Sequence, residues 1–183
     1  LGLVPIYDIS NIIDWNVILF LISMFSIISI AESSGLLDFL AAYLISMFKS
    51  RILLLYLLAL FFGLLSSIMV NDAVAIVGTS LSIIIAKSLE LPFEPIAILV
   101  AFSITIGSVM TPLGNPQNML IATQTNINAP LITFLKYLAV PTIINLFLTT
   151  YFIIKYYKIK ELKKEFFMGV PQEYIKNKRD AYI

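Results

Sequence analysis

The sequence predicts an all-α membrane protein that contains a re-entrant helical hairpin and a discontinuous transmembrane helix. Of its 183 residues, 60% are hydrophobic and only 13% are charged, whereas a soluble domain usually carries about 25% charged residues. The charges are bunched between long uncharged runs, two of which are too long for one crossing and hold helix-breaking residues in their interior. A water-soluble enzyme is therefore excluded.

The residue types that are missing narrow the function further. The chain contains no cysteine and no histidine, so it lacks the ligands of a zinc finger and the side chains of His-based or Cys-based nucleophilic catalysis. It also lacks a phosphate-binding glycine loop, and we expect neither an enzyme nor a cofactor. The net charge of +1 argues against a nucleic-acid partner. The main partner is expected to be the lipid bilayer.

Five apolar segments define a transmembrane unit over residues 1–154, which a basic tail or linker follows over residues 155–183. A transmembrane helix needs roughly 20 residues, and two of the uncharged runs greatly exceed that length. Because each of these two runs holds polar residues near its middle, both are predicted to be broken inside the membrane. The predicted elements are spans at about 15–31, 35–48 and 136–154, a hairpin at 52–86 and a broken helix at 95–125.

The orientation follows from the basic residues, which stay on the cytoplasmic side of a membrane. Lys49, Arg51 and Lys87 flank the hairpin, and eight further Lys and Arg residues follow the last span. These boundaries are predicted to share the cytoplasmic side, with Lys136 as the one exception. The resulting path starts inside with Leu1–Asp14 and crosses outward with the first span.

The segment 35–48 leaves two alternatives open. It is short for a span and contains Asp38, so an interfacial helix is the alternative to a crossing. On this path an interfacial helix would place Lys49 and Arg51 outside, which the charge rule disfavours.

The composition changes after the last span. Lys, Glu and Tyr replace the apolar residues, and Gly169-Val170-Pro171 forms a breaker. We expect a cytoplasmic helix to about Met168 and a flexible tail after it.

Asp72 lies about midway along the hairpin segment and is its only charged residue. A carboxylate inside a membrane costs at least a few kcal/mol, so it normally faces a cavity, pairs with a cation or is protonated. One interpretation makes Asn71 and Asp72 an outside turn after a full span. Ala73–Ala86 would then have to cross with only 14 residues, so we favour two half-helices that meet at Ser66–Asp72 and line a central cavity.

The second break is denser in polar and helix-breaking residues. Gly107 and Ser108 can end a helix, and the prolines that follow prevent the loop from continuing it. Gly114 permits the close backbone approach that a bound ligand needs. Asn115 is a good N-cap before Pro116, so a second half-helix is predicted to begin there, with its positive dipole end inside the membrane. A Pro-kinked helix without a ligand is the alternative.

The two breaks together resemble a known signature. Residues 70–75 read VNDAVA, and residues 107–118 read GSVMTPLGNPQN. This pair is similar to the paired signature of the arsenite permease and citrate transporter families, which belong to the ion transporter superfamily together with the divalent anion:sodium symporters. The similarity in order and spacing covers roughly Ile13–Ile154.

The resemblance implies one inverted-repeat unit, the N-terminal half of a transporter that contains two such units, forms a homodimer and moves its substrate by an elevator-like displacement. By position, it assigns substrate or ion binding to Asn71, Asp72, Ser108, Thr111, Gly114, Asn115 and Asn118. A sodium ion near Asn71, Asp72 and Gly114 is the one metal it suggests. The sodium-symporter branch has Ser-Asn-Thr at the hairpin tip, where this chain has Val70-Asn71-Asp72, which favours the arsenite permease-like or sodium/proton antiporter-like branches.

The predicted function is secondary active transport of an anion or small polar solute, such as arsenite or a carboxylate, coupled to protons or sodium. In this hypothesis Asp72 binds the proton or sodium ion, while the amides of Asn115 and Asn118 hold the solute with the half-helix N-terminus. Each motif occurs once, so a second repeat or a partner polypeptide is expected to complete the site. The alternatives are a non-transporting membrane subunit, a fragment of a decayed transporter, a sodium/proton antiporter and a channel. The expected location is the plasma membrane, with a cytoplasmic C-terminal tail.

Overall fold

A computed structural model describes residues 14–166, and the elements that it assigns in this range are α-helices. In order they are α1 (Trp15–Ser33), α2 (Leu36–Met47), α3 (Arg51–Ile68), α4 (Asn71–Ser88), α5 (Phe93–Ser108), α6 (Pro116–Gln124) and α7 (Pro130–Tyr156). The all-helical prediction is confirmed for this part of the chain. By length and composition, α3 and α7 can each cross a membrane.

The hydrophobic core lies where α3 and α4 both pack along α5. α3 starts at Arg51 and α4 returns to Ser88, so that the Arg51 guanidinium comes within 3.8 Å of the Glu90 carboxylate in the turn before α5. α7 covers α3 and α5 with one face and exposes the rest of its apolar surface. The largest fully buried side chains include Leu54, Leu58, Phe62, Leu81, Ile85, Ile96 and Leu99.

The chain after α7 folds back along the start of α3 as a C-terminal strap, residues 157–166. The Arg51 N–H donates to the Leu162 carbonyl at 3.0 Å, and the Lys164 N–H donates to the Lys49 carbonyl at 2.9 Å. These bonds tie the end of the unit to the base of the hairpin.

The predicted helix to Met168 is therefore wrong over the strap; residues 167–183 lie outside the described range. α7 ends at Tyr156, and Lys158 adopts left-handed backbone angles with φ at 51°. The turn brings Ile159 and Phe166 into the core, where both are buried. Burial of two apolar side chains, which a straight helix would leave in solvent, accounts for the reversal.

Ion pairs add to the contact between the strap and its neighbours. Lys49 lies 2.6 Å from Glu165, and Lys164 pairs with Glu90. A hydrogen bond from Lys164 and its charge lower the pKa of Glu90, and Lys49 lowers the pKa of Glu165 in the same way. The basic residues at the start of α3 and after α7 thus lie at one end of the molecule, which we call the strap end.

The opposite end, which we call the far end, is where α7 begins. α5 and α7 run antiparallel, because Ile98 lines one groove with Tyr156 and Val109 lines another with Leu138. The start of α5 is therefore at the strap end, and Pro130 at the start of α7 lies beyond the end of α5, at the far end.

Asp14 lies at the far end, contrary to the expected path. Its carboxylate caps α1 by accepting the Asn16 N–H at 3.1 Å, and it also accepts the Thr123 hydroxyl at 3.1 Å. Thr123 lines a groove together with Pro130. The path that put Asp14 on the side of the hairpin base is thus wrong; residues 1–13 lie outside the described range. The first 14 residues contain no Lys or Arg, so the distribution of basic residues could not indicate on which side of the membrane they lie.

α1 and α2 together lead from the far end to the strap end. They are joined through Gly35, whose left-handed backbone (φ 77°) suits a residue without a Cβ. α2 has 12 residues, about 18 Å at the standard rise, which is shorter than a bilayer core. Because α1 starts at the far end, α1 alone can cross to the strap end, and an interfacial α2 would leave Lys49 and Arg51 there. The charge rule therefore no longer disfavours an interfacial α2.

Candidate functional site

The two chain breaks meet in space. The first is the tip between α3 and α4, and the second is the loop 109–115 between α5 and α6. Two hydrogen bonds join them: the Asn71 N–H donates to the Gly114 carbonyl at 2.9 Å, and the Thr111 hydroxyl donates to the Ser67 carbonyl. We call this meeting point the junction.

Four helix ends converge at the junction. α3 ends there at Ile68 and α5 at Ser108, while α4 begins at Asn71 and α6 at Pro116. A helix C-terminus carries a partial negative charge and a helix N-terminus a partial positive charge. The junction therefore offers electrostatic partners to ions of either sign.

The second break is held by its own asparagines. The Asn115 Oδ1 accepts the Asn118 N–H at 2.8 Å, which caps α6, and the Asn115 Nδ2 donates to the Ser108 carbonyl at 3.2 Å. The Asn118 Nδ2 lies within hydrogen-bond distance of the carbonyls of Ser108, Val109 and Thr111, at 3.3, 3.2 and 3.0 Å. Carbonyls that α5 leaves without helical partners are thus satisfied inside the loop.

Gly114 sits against the backbone of the same loop. A Cβ at this position would lie 2.1 Å from the Ser108 carbonyl oxygen, far inside van der Waals contact. The sequence indicated that Gly114 allows a close approach of a ligand. The close approach in the structure is that of the Ser108 backbone, so a packing role alone already requires glycine here.

The hairpin tip is less completely paired. The Asn71 Oδ1 is buried, and no described residue donates a hydrogen bond to it. An unpaired buried acceptor costs about 1–3 kcal/mol. Asp72 follows in the first turn of α4 and is exposed. The tip therefore presents an amide oxygen and a carboxylate next to the negative ends of α3 and α5.

The structure brings the predicted site residues to one place but gives them two different tasks. Five of them bond to one another within the second break: Ser108, Thr111, Gly114, Asn115 and Asn118. Asn71 joins them through its N–H, and Asp72 lies beside Asn71, outside that network. The side-chain N–H donors of Asn115 and Asn118 already serve loop carbonyls, so the hypothesis that these amides hold a solute finds no support in the geometry.

A contact between Gly63 and Gly107, which was not predicted from the sequence, lies next to the two breaks. A Cβ on Gly107 would lie 2.0 Å from the Gly63 carbonyl oxygen, so α3 and α5 touch backbone to backbone. Close by, the Ser66 hydroxyl donates to the Ile104 carbonyl at 2.9 Å. The available signal was Gly63 itself, a small residue inside an apolar helix, since small residues let membrane helices approach closely.

A cation at the junction would have few protein charges to bind. Among residues 14–166, no group of three or more acidic, His or Cys side chains lies close enough to hold a metal ion. The groups at the tip that could ligate a cation are the Asn71 Oδ1, the Asp72 carboxylate and backbone carbonyls; transporters use such oxygen ligands for sodium.

Comparison with known proteins reveals the relatives of this chain. The profile of the citrate transporter family matches residues 1–182. The chain is 33% identical over 162 residues to the transporter arsB of Dictyostelium discoideum. The aligned region covers 88% of this chain and 28% of the relative. It is 32% identical over 124 residues to the uncharacterized transporter MJ0456 of Methanocaldococcus jannaschii, covering 66% of this chain and 34% of the relative. It is 38% identical over 66 residues to the silicon efflux transporter LSI3 of Oryza sativa subsp. japonica, covering 36% and 14%.

These matches define the family. The chain spans about a third or less of the length of these relatives, and no solved structure matches it. The family description and the names of MJ0456 and LSI3 are those of transporters. They also confirm the resemblance that the two motifs carry. The chain belongs to the citrate transporter family.

Proposed function

We propose that this chain forms one unit of a secondary active transporter that moves an anion or a small polar solute, coupled to sodium ions or protons. The junction carries the proposal, because four helix ends meet there and the Asn71 Oδ1 is buried without a hydrogen-bond partner among residues 14–166. Interrupted helices whose ends face the substrate and the coupling ion are the usual device of secondary transporters. Membership of the citrate transporter family supports the same class of activity.

Asn71 and Asp72 are proposed to bind the coupling ion. The Asn71 Oδ1 supplies a neutral oxygen and Asp72 a negative charge, while the C-terminal ends of α3 and α5 add carbonyl dipoles of the right sign. A bound sodium ion would give the Asn71 Oδ1 a partner that the described part of the chain does not supply. With protons as the coupling ion, the Asp72 carboxylate would be the group that takes one up.

The solute is proposed to bind against the N-terminal ends of α4 and α6, whose partial positive charge favours anions. Asn115 and Asn118 then shape the loop instead of touching the solute, since their amides are already bonded. A cation bound at the tip would lower the cost of bringing an anion next to it. By linkage, the anion strengthens cation binding by the same factor, which is how the two fluxes become coupled.

The hairpin is proposed to be re-entrant, with both arms starting from the strap end. α3 has 18 residues and α7 has 27, which correspond to about 27 Å and 40 Å at the standard rise per residue. The tip bonds to the loop before α6, and α6 continues towards the far end for nine residues, about 13 Å. The tip would therefore stop inside a bilayer whose hydrocarbon core is about 30 Å thick.

We further propose that a second unit of inverted topology completes the site in the full-length protein, which works as an elevator-like homodimer. The relatives are long enough to hold such a unit, because this chain spans about a third or less of their length. The excess of Lys and Arg at the strap end makes that end the cytoplasmic one in this proposal. The plasma membrane is proposed as the location.

Uptake by the full-length protein in proteoliposomes tests the proposal. Three solutes are compared, each with an imposed sodium or pH gradient. Citrate is suggested by the family description, silicic acid by the name of LSI3, and arsenite by the resemblance of the two motifs. We expect Asp72→Asn and Asn71→Ala each to lower gradient-driven uptake at least about tenfold, the cost of roughly 1.4 kcal/mol of lost binding. The matched control is Glu94→Gln, an exposed carboxylate at the start of α5, which should leave uptake unchanged.

Two results would contradict the proposal. Flux that neither saturates nor responds to a gradient would indicate a channel. Full coupled uptake by Asp72→Asn would remove Asp72 from the coupling site.

A further inference from the structure

A groove on α7 lies beside the second break but outside the junction. It has a volume of about 250 Å³ and is lined by Ile106, Val109, Leu138, Pro141, Thr142 and Asn145. Val109 belongs to the loop of the second break, and its carbonyl accepts the Asn118 amide at 3.2 Å. Whatever fills the groove therefore touches the loop that shapes the proposed site.

Unpaired polar groups lie along this groove in the middle of an apolar helix. Asn145 is 15 residues after the start of α7 and 11 before its end. Its side chain is exposed, and within residues 14–166 no hydrogen bond to its amide is formed. One turn earlier, Pro141 has no N–H, so the Tyr137 carbonyl lacks its donor four residues on.

A second exposed face of α7 has a different character. At about 100° per residue, Val140, Ile144, Phe147 and Tyr151 point roughly 100–160° away from Asn145, and all four are exposed. These side chains suit lipid, whereas the asparagine amide and an orphan carbonyl do not, because lipid tails offer no hydrogen bonds. The groove face therefore calls for a partner with polar atoms of its own.

We infer that this groove receives a transmembrane helix of the second unit, and that the helix carries a hydroxyl or amide side chain that hydrogen bonds with Asn145. Such bonds between helices are a common use of asparagine inside membranes. The inference rests on the proposed function in one respect: the second unit is the one proposed there to complete the site. The inference identifies the surface at which the two units join. That surface is the groove, which Val109 of the second break also lines.

Spin labels on the full-length protein in liposomes test the inference. The 183 residues contain no cysteine, so a single introduced cysteine labels one position once any cysteine elsewhere in the full-length protein has been replaced by serine. One label replaces Leu138, which lines the groove and leaves Asn145 intact. A second replaces Asn145, and the control replaces the exposed Ile144, which points about 100° away from Asn145 around the helix.

Collision rates of the labels with oxygen, which concentrates in lipid, and with a nickel chelate, which stays in water, give the result. A covering helix excludes both reagents, so we expect collisions with oxygen at Leu138 and Asn145 to be at least about threefold rarer than at Ile144, as close packing requires. Collisions with nickel should be rare at all three positions.

Three results would overturn the inference. Oxygen collisions at Leu138 as frequent as at Ile144 would mean that lipid fills the groove, and frequent nickel collisions would mean that water does. Dipolar broadening that appears at full labelling and vanishes at sparse labelling would put a second copy of the protein there. None of these measurements requires transport, so a covered groove in a protein without coupled uptake would contradict the proposed function and leave this inference standing.

Discussion

The two breaks of this chain differ in how fully their polar groups are paired. In the second break, Asn115 and Asn118 donate to carbonyls of the same loop, and Gly114 packs against the Ser108 backbone. At the hairpin tip, the Asn71 Oδ1 has no partner among the described residues, and Asp72 is exposed. A loop whose asparagine amide donors are already bonded holds a shape, whereas a tip with an unpaired acceptor can bind.

The difference assigns separate tasks to residues that look alike in the sequence. Asn71, Asn115 and Asn118 are all amides at predicted helix breaks, yet only Asn71 keeps its side-chain oxygen unpaired among buried atoms. We therefore expect substitutions in the loop to reduce the free energy of unfolding and substitutions at the tip to reduce binding. Four experiments can break or sharpen this distinction.

The largest loss of stability is expected for Gly114→Ala. Its Cβ would lie 2.1 Å from the Ser108 carbonyl oxygen, a backbone atom that cannot rotate away. The loop must shift, and we expect the free energy of unfolding to fall by about 3 kcal/mol, measured by thermal or denaturant unfolding in detergent. The control is Gly78→Ala, whose Cβ would meet a methyl of the Val100 side chain at 2.8 Å. That side chain can adjust, so equal losses in the two variants would count against a rigid loop.

A smaller loss is expected for Asn118→Asp, which keeps the size of the side chain but removes its donor. The carbonyls of Ser108, Val109 and Thr111 would then lose the amide that they share, at a cost of about 2 kcal/mol. Gln117→Glu adds the same charge to an exposed neighbour in the first turn of α6 and should change stability little. If both variants unfold alike, charge and not the lost donor is responsible.

A weaker effect is expected at the strap, where the paired groups are exposed. Lys164 lowers the pKa of Glu90, and Lys49 lowers that of Glu165, from the ordinary value of 4.5. A lowered carboxyl pKa stabilises the folded state fully above pH 4.5, and this stabilisation is lost as the pH falls through the lowered values. Hydrogen–deuterium exchange in the strap, corrected for the intrinsic rate, should therefore speed up only in acid.

Glu90→Gln supplies the matched comparison for the strap. It should raise exchange at neutral pH and reduce the response to acid, whereas Glu94→Gln, on the neighbouring helix, should do neither. A strap that stays equally protected at all pH values would show that Ile159 and Phe166 hold it without help from the ion pairs.

The smallest change in stability is expected for Asn71→Ala. Its Oδ1 has no described donor, so the substitution removes an unpaired buried acceptor while the backbone N–H still reaches Gly114. Removal of the unpaired acceptor offsets the packing that is lost with the side chain, so we expect the free energy of unfolding to fall by no more than about 0.5 kcal/mol, although uptake falls. If Asn71→Ala lowered the free energy of unfolding as much as Asn118→Asp does, the tip would also be needed for stability. The distinction between the two breaks would then fail.

Local chemistry explains what could be predicted from the sequence. The end of α5 at Ser108 and the start of α6 at Pro116, with Asn115 as its cap, follow from the preferences of Gly, Pro and Asn, which act over a few residues. The break before Asn71 likewise follows from two polar residues inside an apolar run. These signals need no knowledge of the rest of the fold.

The unpredicted features depend on partners far along the chain. The strap reverses because Ile159 and Phe166 find a core built from earlier helices, and Asp14 reaches Thr123 across 109 residues. The contact of Gly63 with Gly107 is of the same kind. The pattern around Asn115 and Asn118 correctly indicated their place, but only the structure shows that their amides are already occupied.

The strap also sets an order of events when the protein is made. Its hydrogen bonds to the start of α3 join residues that are 109 to 116 positions apart. At about 5–20 residues per second, a ribosome needs roughly 5–20 s between making Arg51 and making its strap partners. During that interval the charged groups at the hairpin base are without their partners in the strap. Closure of the unit by the strap is thus a late step of biogenesis, after α7 has been synthesised.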